Sequence, residues 1–175
     1  YLKSKLNSDT EIIAVVKAFA YGHGDVVVAK KLEELGISAF WVADFEEGVT
    51  LKKSGINLPI IIANPGAKSC SDIIEYDLQP VIYNFRLLEL YGEQNSPISI
   101  HIKFNSGMNR YGFNLEEVEK IAKKLKKYSH LKVESICTHL SSADDSKQDE
   151  FTYFQLQQFE SIASKFSGTT GIKAA

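Results

Sequence analysis

The chain has 175 residues and a mass of 19.5 kDa, about one domain, of whose surface about two-thirds can be buried. Its 44% hydrophobic and 24% charged residues match a soluble globular protein and exclude a disordered chain, a collagen or a disulfide scaffold. A formal charge of −2 and a pI near 6.1 give no general pull toward nucleic acid or anionic lipid. Apolar runs of about five to seven residues are too short for a bilayer.

The chain begins with Tyr1 rather than an initiator Met, and Leu2, Lys3, Lys5 and Leu6 read as the tail of an amphipathic helix. No secretory signal opens it, so a reducing cytoplasm is the expected location. A first strand is expected over residues 11–16, ending in Lys17 and a glycine-containing turn, Ala18 to Gly24. Asp25 reads as the N-cap of a helix striped by Val28, Leu32 and Leu35 and ended by Gly36. A second strand spans 39–43; Asp44 followed by Glu47 resembles a capping box, and Gly55 closes that helix. Strands follow at 59–63, 79–83 and 98–104, several with unbroken apolar cores such as Ile60-Ile61-Ile62.

Asn114 and Glu117 form a second box, opening a helix from Leu115 to Tyr128. Its basic run, Lys120 to Lys127, alternates with Ile121, Ala122 and Leu125, the pattern of a solvated helix face. A sixth strand spans 132–138 and includes Cys137, read as a buried thiol. With Cys70 it makes neither a metal spacing nor a disulfide framework. Phe151, Phe154, Gln155, Gln158, Phe159 and Ile162 carry a last helix, followed by a turn at Gly168-Thr169-Thr170. Residues 171–175 carry no stop signal, and the two ends together read as those of a piece of a longer protein. Linkers are short and no internal boundary stands out.

Six βα units predict an α/β fold with parallel strands, either a doubly wound sheet or a partial (β/α)8 TIM-type barrel lacking roughly two units. The absence of a G-x-G-x-x-G turn after the first strand weighs against a dinucleotide-binding sheet. In both architectures chemistry collects at the C-terminal ends of strands. Three such ends bring a cationic or titratable group. Lys17 follows five apolar residues, where desolvation would lower its pKa and make it an amine nucleophile, or it simply emerges at the strand end. Gly22 and Gly24 allow a tight turn with exposed amides suited to an anion, to which Tyr21 could offer its hydroxyl or merely pack. Lys103 ends the fifth strand ahead of a polar loop carrying Arg110, and His139 ends the sixth. A Ser-His-Asp set from Ser141, His139 and Asp144 lacks a nucleophile elbow.

The segment Ala14-Val15-Val16-Lys17-Ala18-Phe19-Ala20-Tyr21-Gly22-His23-Gly24 resembles the pyridoxal-phosphate signature of alanine racemases. Lys103 to Phe113, with its Ser106-Gly107-Met108, Arg110 and Gly112-Phe113, is similar to a second marked segment of that family. Thr138-His139 with Ala143-Asp144 is similar to a third. The resemblance implies a pyridoxal 5'-phosphate-dependent isomerase that interconverts L- and D-alanine, supplying D-alanine for peptidoglycan in the cytoplasm. Lys17 would form the internal aldimine and serve as one of two acid/base groups. Tyr21 would bind the cofactor's phosphate, Val15 would pack near its ring, and His139 would sit beside it. Arg110 would contact the cofactor's phenolic oxygen and the substrate carboxylate, with Lys103, carbamylated in many members, holding it in place.

The family also implies that residues 1–175 are an incomplete N-terminal barrel, that a β-rich C-terminal domain lies outside the chain, and that the full protein is a homodimer whose partner subunit supplies the second base. The fragment alone would then be inactive. Two departures stand out: Phe19 where Asn is usual, and Asn105-Ser106 where Asp-Thr is commoner. Rival readings are a barrel-type amino-acid decarboxylase or serine racemase, a non-catalytic pyridoxal-phosphate-binding protein, and a cofactor-free lysine aldolase. No metal, nucleic acid or membrane partner is expected.

Overall fold

The computed structural model describes residues 1–170; the expected unstopped tail at 171–175 lies outside them. Six strands alternate with helices: β1 (Ile13–Val15), β2 (Ala39–Val42), β3 (Ile60–Ile62), β4 (Gln79–Ile82), β5 (Ile98–Lys103) and β6 (Leu131–Cys137). Each expected strand is present, shortened or shifted by a residue or two. After β1 comes a five-residue turn, α1 (Lys17–Tyr21), and then α2 (Asp25–Glu34). The remaining helices are α3 (Phe45–Lys53), α4 (Cys70–Glu75), α5 (Phe85–Gly92), α6 (Val118–Lys127) and α7 (Asp149–Thr170).

Contacts group the chain into two compact units, dividing between Pro80 and Val81 inside β4, where the sequence showed no boundary. In the first, β1, β2, β3 and the start of β4 pair in parallel and in chain order. In the second, the end of β4 pairs with β5 and β5 with β6, again in parallel. This is the α/β repeat of a partial TIM-type barrel, and the parallel connections need the helices between strands. Phe40, Leu51, Ile60 to Ile62 and Ile73 are buried in the first unit; Tyr91, Ile100, Ile102, Phe104, Phe113 and Phe166 are buried in the second. The apolar run of β3 is therefore covered on both faces, whereas the equally apolar run of β1 leaves Ile13 and Val15 exposed.

Helix ends depart from expectation in instructive ways. Asp25 is the first residue of α2 rather than its N-cap, which is Gly24, and its carboxylate accepts the next amide, Val26, at 2.8 Å. The buried residues of α2 are Asp25 and Ala29, while Leu35, expected in its stripe, is exposed. The N-terminal segment forms a 3₁₀ turn at Lys3–Lys5, and the Lys3 ammonium donates to the Leu35 and Gly36 carbonyls at 3.0 and 2.7 Å. A cation thus closes the C-terminal end of α2, where the helix dipole favours one. The Asn114–Glu117 capping box forms in full. The expected turn at Gly168-Thr169-Thr170 is helical: α7 continues through Thr170. No helix among the described residues is long and apolar enough to cross a membrane.

Candidate active site

In the first unit the site is built on an unusual backbone. Lys17 follows β1 by two residues, and Ala18, Phe19, Ala20 and Tyr21 all have φ between 50° and 57°. They form one left-handed helical turn, continued by Gly22 at φ 89° and Gly24 at φ 91°. For L-residues this conformation costs roughly 1–2 kcal/mol each, so the turn stores several kcal/mol of strain. Strain of this kind persists only where the surroundings over-determine it, and it clusters at functional sites.

Here the surroundings are visible. The amides of Gly22 and Gly24 donate to the Phe19 carbonyl at 3.0 and 2.9 Å, and Ala20 donates to Val16 at 2.9 Å. Val16 in turn donates to Trp41 of β2 at 3.0 Å. Glu47 of α3 then reaches across: Oε1 accepts the Ala18 amide at 2.6 Å and Oε2 the Ala43 amide at 2.7 Å. The Asp44–Glu47 box is thus only half formed. Asp44 accepts the Glu47 amide at 3.4 Å, while the Glu47 carboxylate is spent on the ends of two strands.

Lys17 is exposed, so the burial invoked from its strand-end position is not supplied by the described residues. Its ammonium lies 6.0 Å from the centroid of the Tyr21 ring, and Tyr21 and Val15 are exposed as well. Built Cβ atoms on Gly22 and Gly24 meet no described atom within 4 Å, so among the described residues both glycines face open space.

The desolvated amine is the other strand-end lysine. Lys103, in the second unit, is 7% exposed; burial pushes its amine below the usual lysine range, Arg110 adds to the effect and the Cys137 thiol opposes it. Its Nζ lies 5.5 Å from the Tyr111 ring centroid, and the exposed Arg110 guanidinium lies 5.2 Å from the same ring. Tyr111, which sequence reasoning did not single out, is therefore the shared neighbour of both cations and packs on Tyr83 at 4.7 Å. Cys137, expected to be buried, is half-buried; burial pushes its thiol up to about 11.

The loop after β5 is closed by its own backbone. Phe113 donates to the Lys103 carbonyl at 2.9 Å and Asn105 donates to Phe113 at 2.8 Å. The Asn105 carboxamide oxygen accepts the Gly107 and Asn109 amides at 3.1 and 3.0 Å, so Asn at this position folds the loop.

A second residue missed from the sequence is Gln155 of α7, fully buried. Its amide donates to the His139 carbonyl at 3.1 Å and to Ser106 Oγ at 3.4 Å; its oxygen accepts the Ser141 amide at 3.1 Å and hydroxyl at 3.3 Å. Ser106 also pairs with Thr138 Oγ1 at 2.8 Å. One glutamine thus ties together the loops after β5 and β6, leaving the His139 side chain exposed. Its signal was a polar residue among the apolar ones of the helix stripe, a signal that Gln158 shares. The Ser141 hydroxyl donates to the Gln155 side-chain oxygen.

Comparison with known proteins adds family to geometry. The model of the alanine racemase N-terminal domain matches residues 1–174. An alanine racemase from Halothermothrix orenii is 36% identical over 166 residues, covering 92% of this chain and 44% of the relative. Alanine racemase 1 of Clostridium acetobutylicum is 39% identical over 162 residues, covering 89% and 42%. The structure of alanine racemase from Clostridium difficile 630 superposes with a TM-score of 0.92 at 31% identity, covering 99% of this chain and 49% of that one. The same racemase in complex with cycloserine gives 0.91 at 32% identity, covering 99% and 49%. The chain spans less than half the length of the curated relatives it matches. A strained lysine-bearing turn, a buried lysine beside an arginine, and a domain match running nearly end to end agree with one another: this chain belongs to the alanine racemase family through its N-terminal domain.

Proposed function

We propose that the chain carries the lysine half of a pyridoxal 5'-phosphate-dependent alanine racemase, supplying D-alanine for peptidoglycan in the cytoplasm. The observation that carries the reading is Lys17, an accessible primary amine fixed at the entry of a left-handed turn, in a fold whose relatives are alanine racemases. The donors suit the cofactor: an amine able to link covalently to an aldehyde, a neighbouring phenol for an anionic phosphate, and open space over two glycines. Lys17 would hold the group covalently, Tyr21 its phosphate, Val15 and His139 its ring, and Arg110 its phenolic oxygen. When bound, the cofactor makes the α-hydrogen of an amino acid acidic by delocalising the charge left behind.

The chain's own residues do the rest. The Lys17 amine would accept or return a proton at the α-carbon from one face. Arg110 would hold the substrate carboxylate. Lys103 as a plain ammonium is a like charge near Arg110; as a carbamate it becomes an anion that steadies the guanidinium. Its depressed pKa favours the neutral amine, the form that adds carbon dioxide. Racemisation needs a second base on the opposite face, which we assign to the partner subunit of a full-length homodimer, with a β-rich C-terminal domain beyond this chain. The chain alone would then lack turnover.

The cycloserine complex of a relative favours a pocket for a small amino acid. The test is the full-length protein with Lys17→Ala, assayed for conversion of L-alanine to D-alanine. Loss of conversion with the visible colour of lysine-bound cofactor supports the reading; retained turnover overturns it.

A further inference from the structure

We infer that Glu47 is the positioning residue of the Lys17 turn, a role that rests on Lys17 being the cofactor-bearing lysine. The Ala18 amide is the first backbone donor after Lys17, and Glu47 Oε1 takes it at 2.6 Å. The other carboxylate oxygen takes the Ala43 amide, just past the end of β2, at 2.7 Å. β1 and β2 are paired in parallel, with Val15 opposite Trp41, so one carboxylate continues the ladder past the last strand pair. It joins the peptide that follows Lys17 to the rim of the sheet.

The backbone here takes a conformation that Ala, Phe and Tyr avoid, and its internal hydrogen bonds lie within the turn or at its start. The Glu47 bond runs instead from outside the turn to its leading residue. Glu47 comes from the first turn of α3, a nine-residue helix whose Leu51 is fully buried, so the clamp stands on a rigid element. An ordinary capping-box glutamate would fold back on its own N-cap amide, Asp44; this one reaches the preceding residue and the neighbouring strand end instead.

A carboxylate is required because both partners are N–H donors. Glutamine at position 47 offers one oxygen and would turn its NH₂ toward the other amide, donor against donor. Aspartate keeps the charge, but its shorter side chain cannot span both amides.

The experiment uses the full-length protein as wild type, Glu47→Gln, Glu47→Asp and Asp44→Ala. The last removes the N-cap of the same helix, α3, and leaves the clamp. Three readouts are needed: hydrogen exchange at the Ala18 amide without cofactor, the pH titration of the visible band of lysine-bound cofactor, and kcat and KM for alanine. In Glu47→Gln we expect Ala18 exchange to speed up at least about tenfold, the midpoint of the band to move, and kcat to fall on the order of ten- to a hundredfold with little change in KM. Glu47→Asp should fall in between. Asp44→Ala should lower the thermal midpoint while leaving exchange at Ala18, the band and kcat within about twofold of wild type.

If Glu47→Gln merely matches Asp44→Ala, or keeps wild-type protection at Ala18, the role is overturned and the functional reading stands. If borohydride reduction of the wild type marks a lysine other than Lys17, the functional reading falls and the role of Glu47 falls with it.

Discussion

The Gly24 amide donates to the Phe19 carbonyl at 2.9 Å, closing a left-handed turn in which Phe19 itself sits at φ 57° and ψ 42°. Phe19 is 61% exposed, so its ring contributes little packing to set against the cost of that conformation. Asparagine is among the non-glycine residues best tolerated there, because its short polar side chain bonds locally. Phe19→Asn should therefore stabilise the protein by about 1 kcal/mol, read as a higher urea midpoint with an unchanged slope. An unchanged or lower midpoint would show that the ring has a role the exposed position conceals.

The handedness of this turn was not legible in the sequence. Ala, Phe, Ala and Tyr carry no signal for positive φ, and only Gly22 and Gly24 hinted at unusual backbone nearby. The strands were legible because runs such as Ile60-Ile61-Ile62 fit a sheet covered on both faces. The two strand-end lysines looked alike in sequence, yet one is exposed and the other buried. Telling them apart requires knowing which strands are covered: β1 is largely exposed, while five of the six residues of β5 are buried. Glu47 was seen as a local cap because sequence spacing reports only neighbours along the chain.

Gly112 has φ 130°, and a Cβ built on it would lie 2.7 Å from the Asn105 nitrogen and the Phe104 carbonyl carbon. Both neighbours are backbone and cannot rotate away. Gly112→Ala should cost at least about 2 kcal/mol and open the loop between Lys103 and Phe113. Chemical denaturation measures the first effect, and faster hydrogen exchange at Phe113 the second.

Gln155 satisfies groups in two loops at once. Gln155→Leu keeps the apolar bulk but strands the His139 carbonyl and the Ser141 amide, and should cost roughly 2–4 kcal/mol. Gln155→Glu should also destabilise, because a carboxylate cannot donate to His139 or Ser106. A loss below about 0.5 kcal/mol for both variants would mean that the network can be replaced by water.

His101, in β5, is buried with Nδ1 at 2.7 Å from Ser135 Oγ. Burial holds its pKa down at about 4, against a weaker upward pull from Glu134. The unfolded chain takes up this proton near 6.5, the folded chain only near 4. Stability is therefore intact above about pH 6.5 and is lost as pH falls toward 4, by about 3 kcal/mol from this group. Urea unfolding between pH 7 and 4 should show that slope, and His101→Gln should flatten it. An equal slope in the variant would assign the acid sensitivity to other groups.

The central claim is that one amine, Lys17, carries the cofactor, and its most direct measurement is borohydride reduction of the full-length protein followed by peptide mapping. A pyridoxyl adduct should be found on the peptide containing Lys17, and on no other lysine in stoichiometric amount. A stoichiometric adduct on Lys103 or elsewhere, with Lys17 unmodified, would contradict the account.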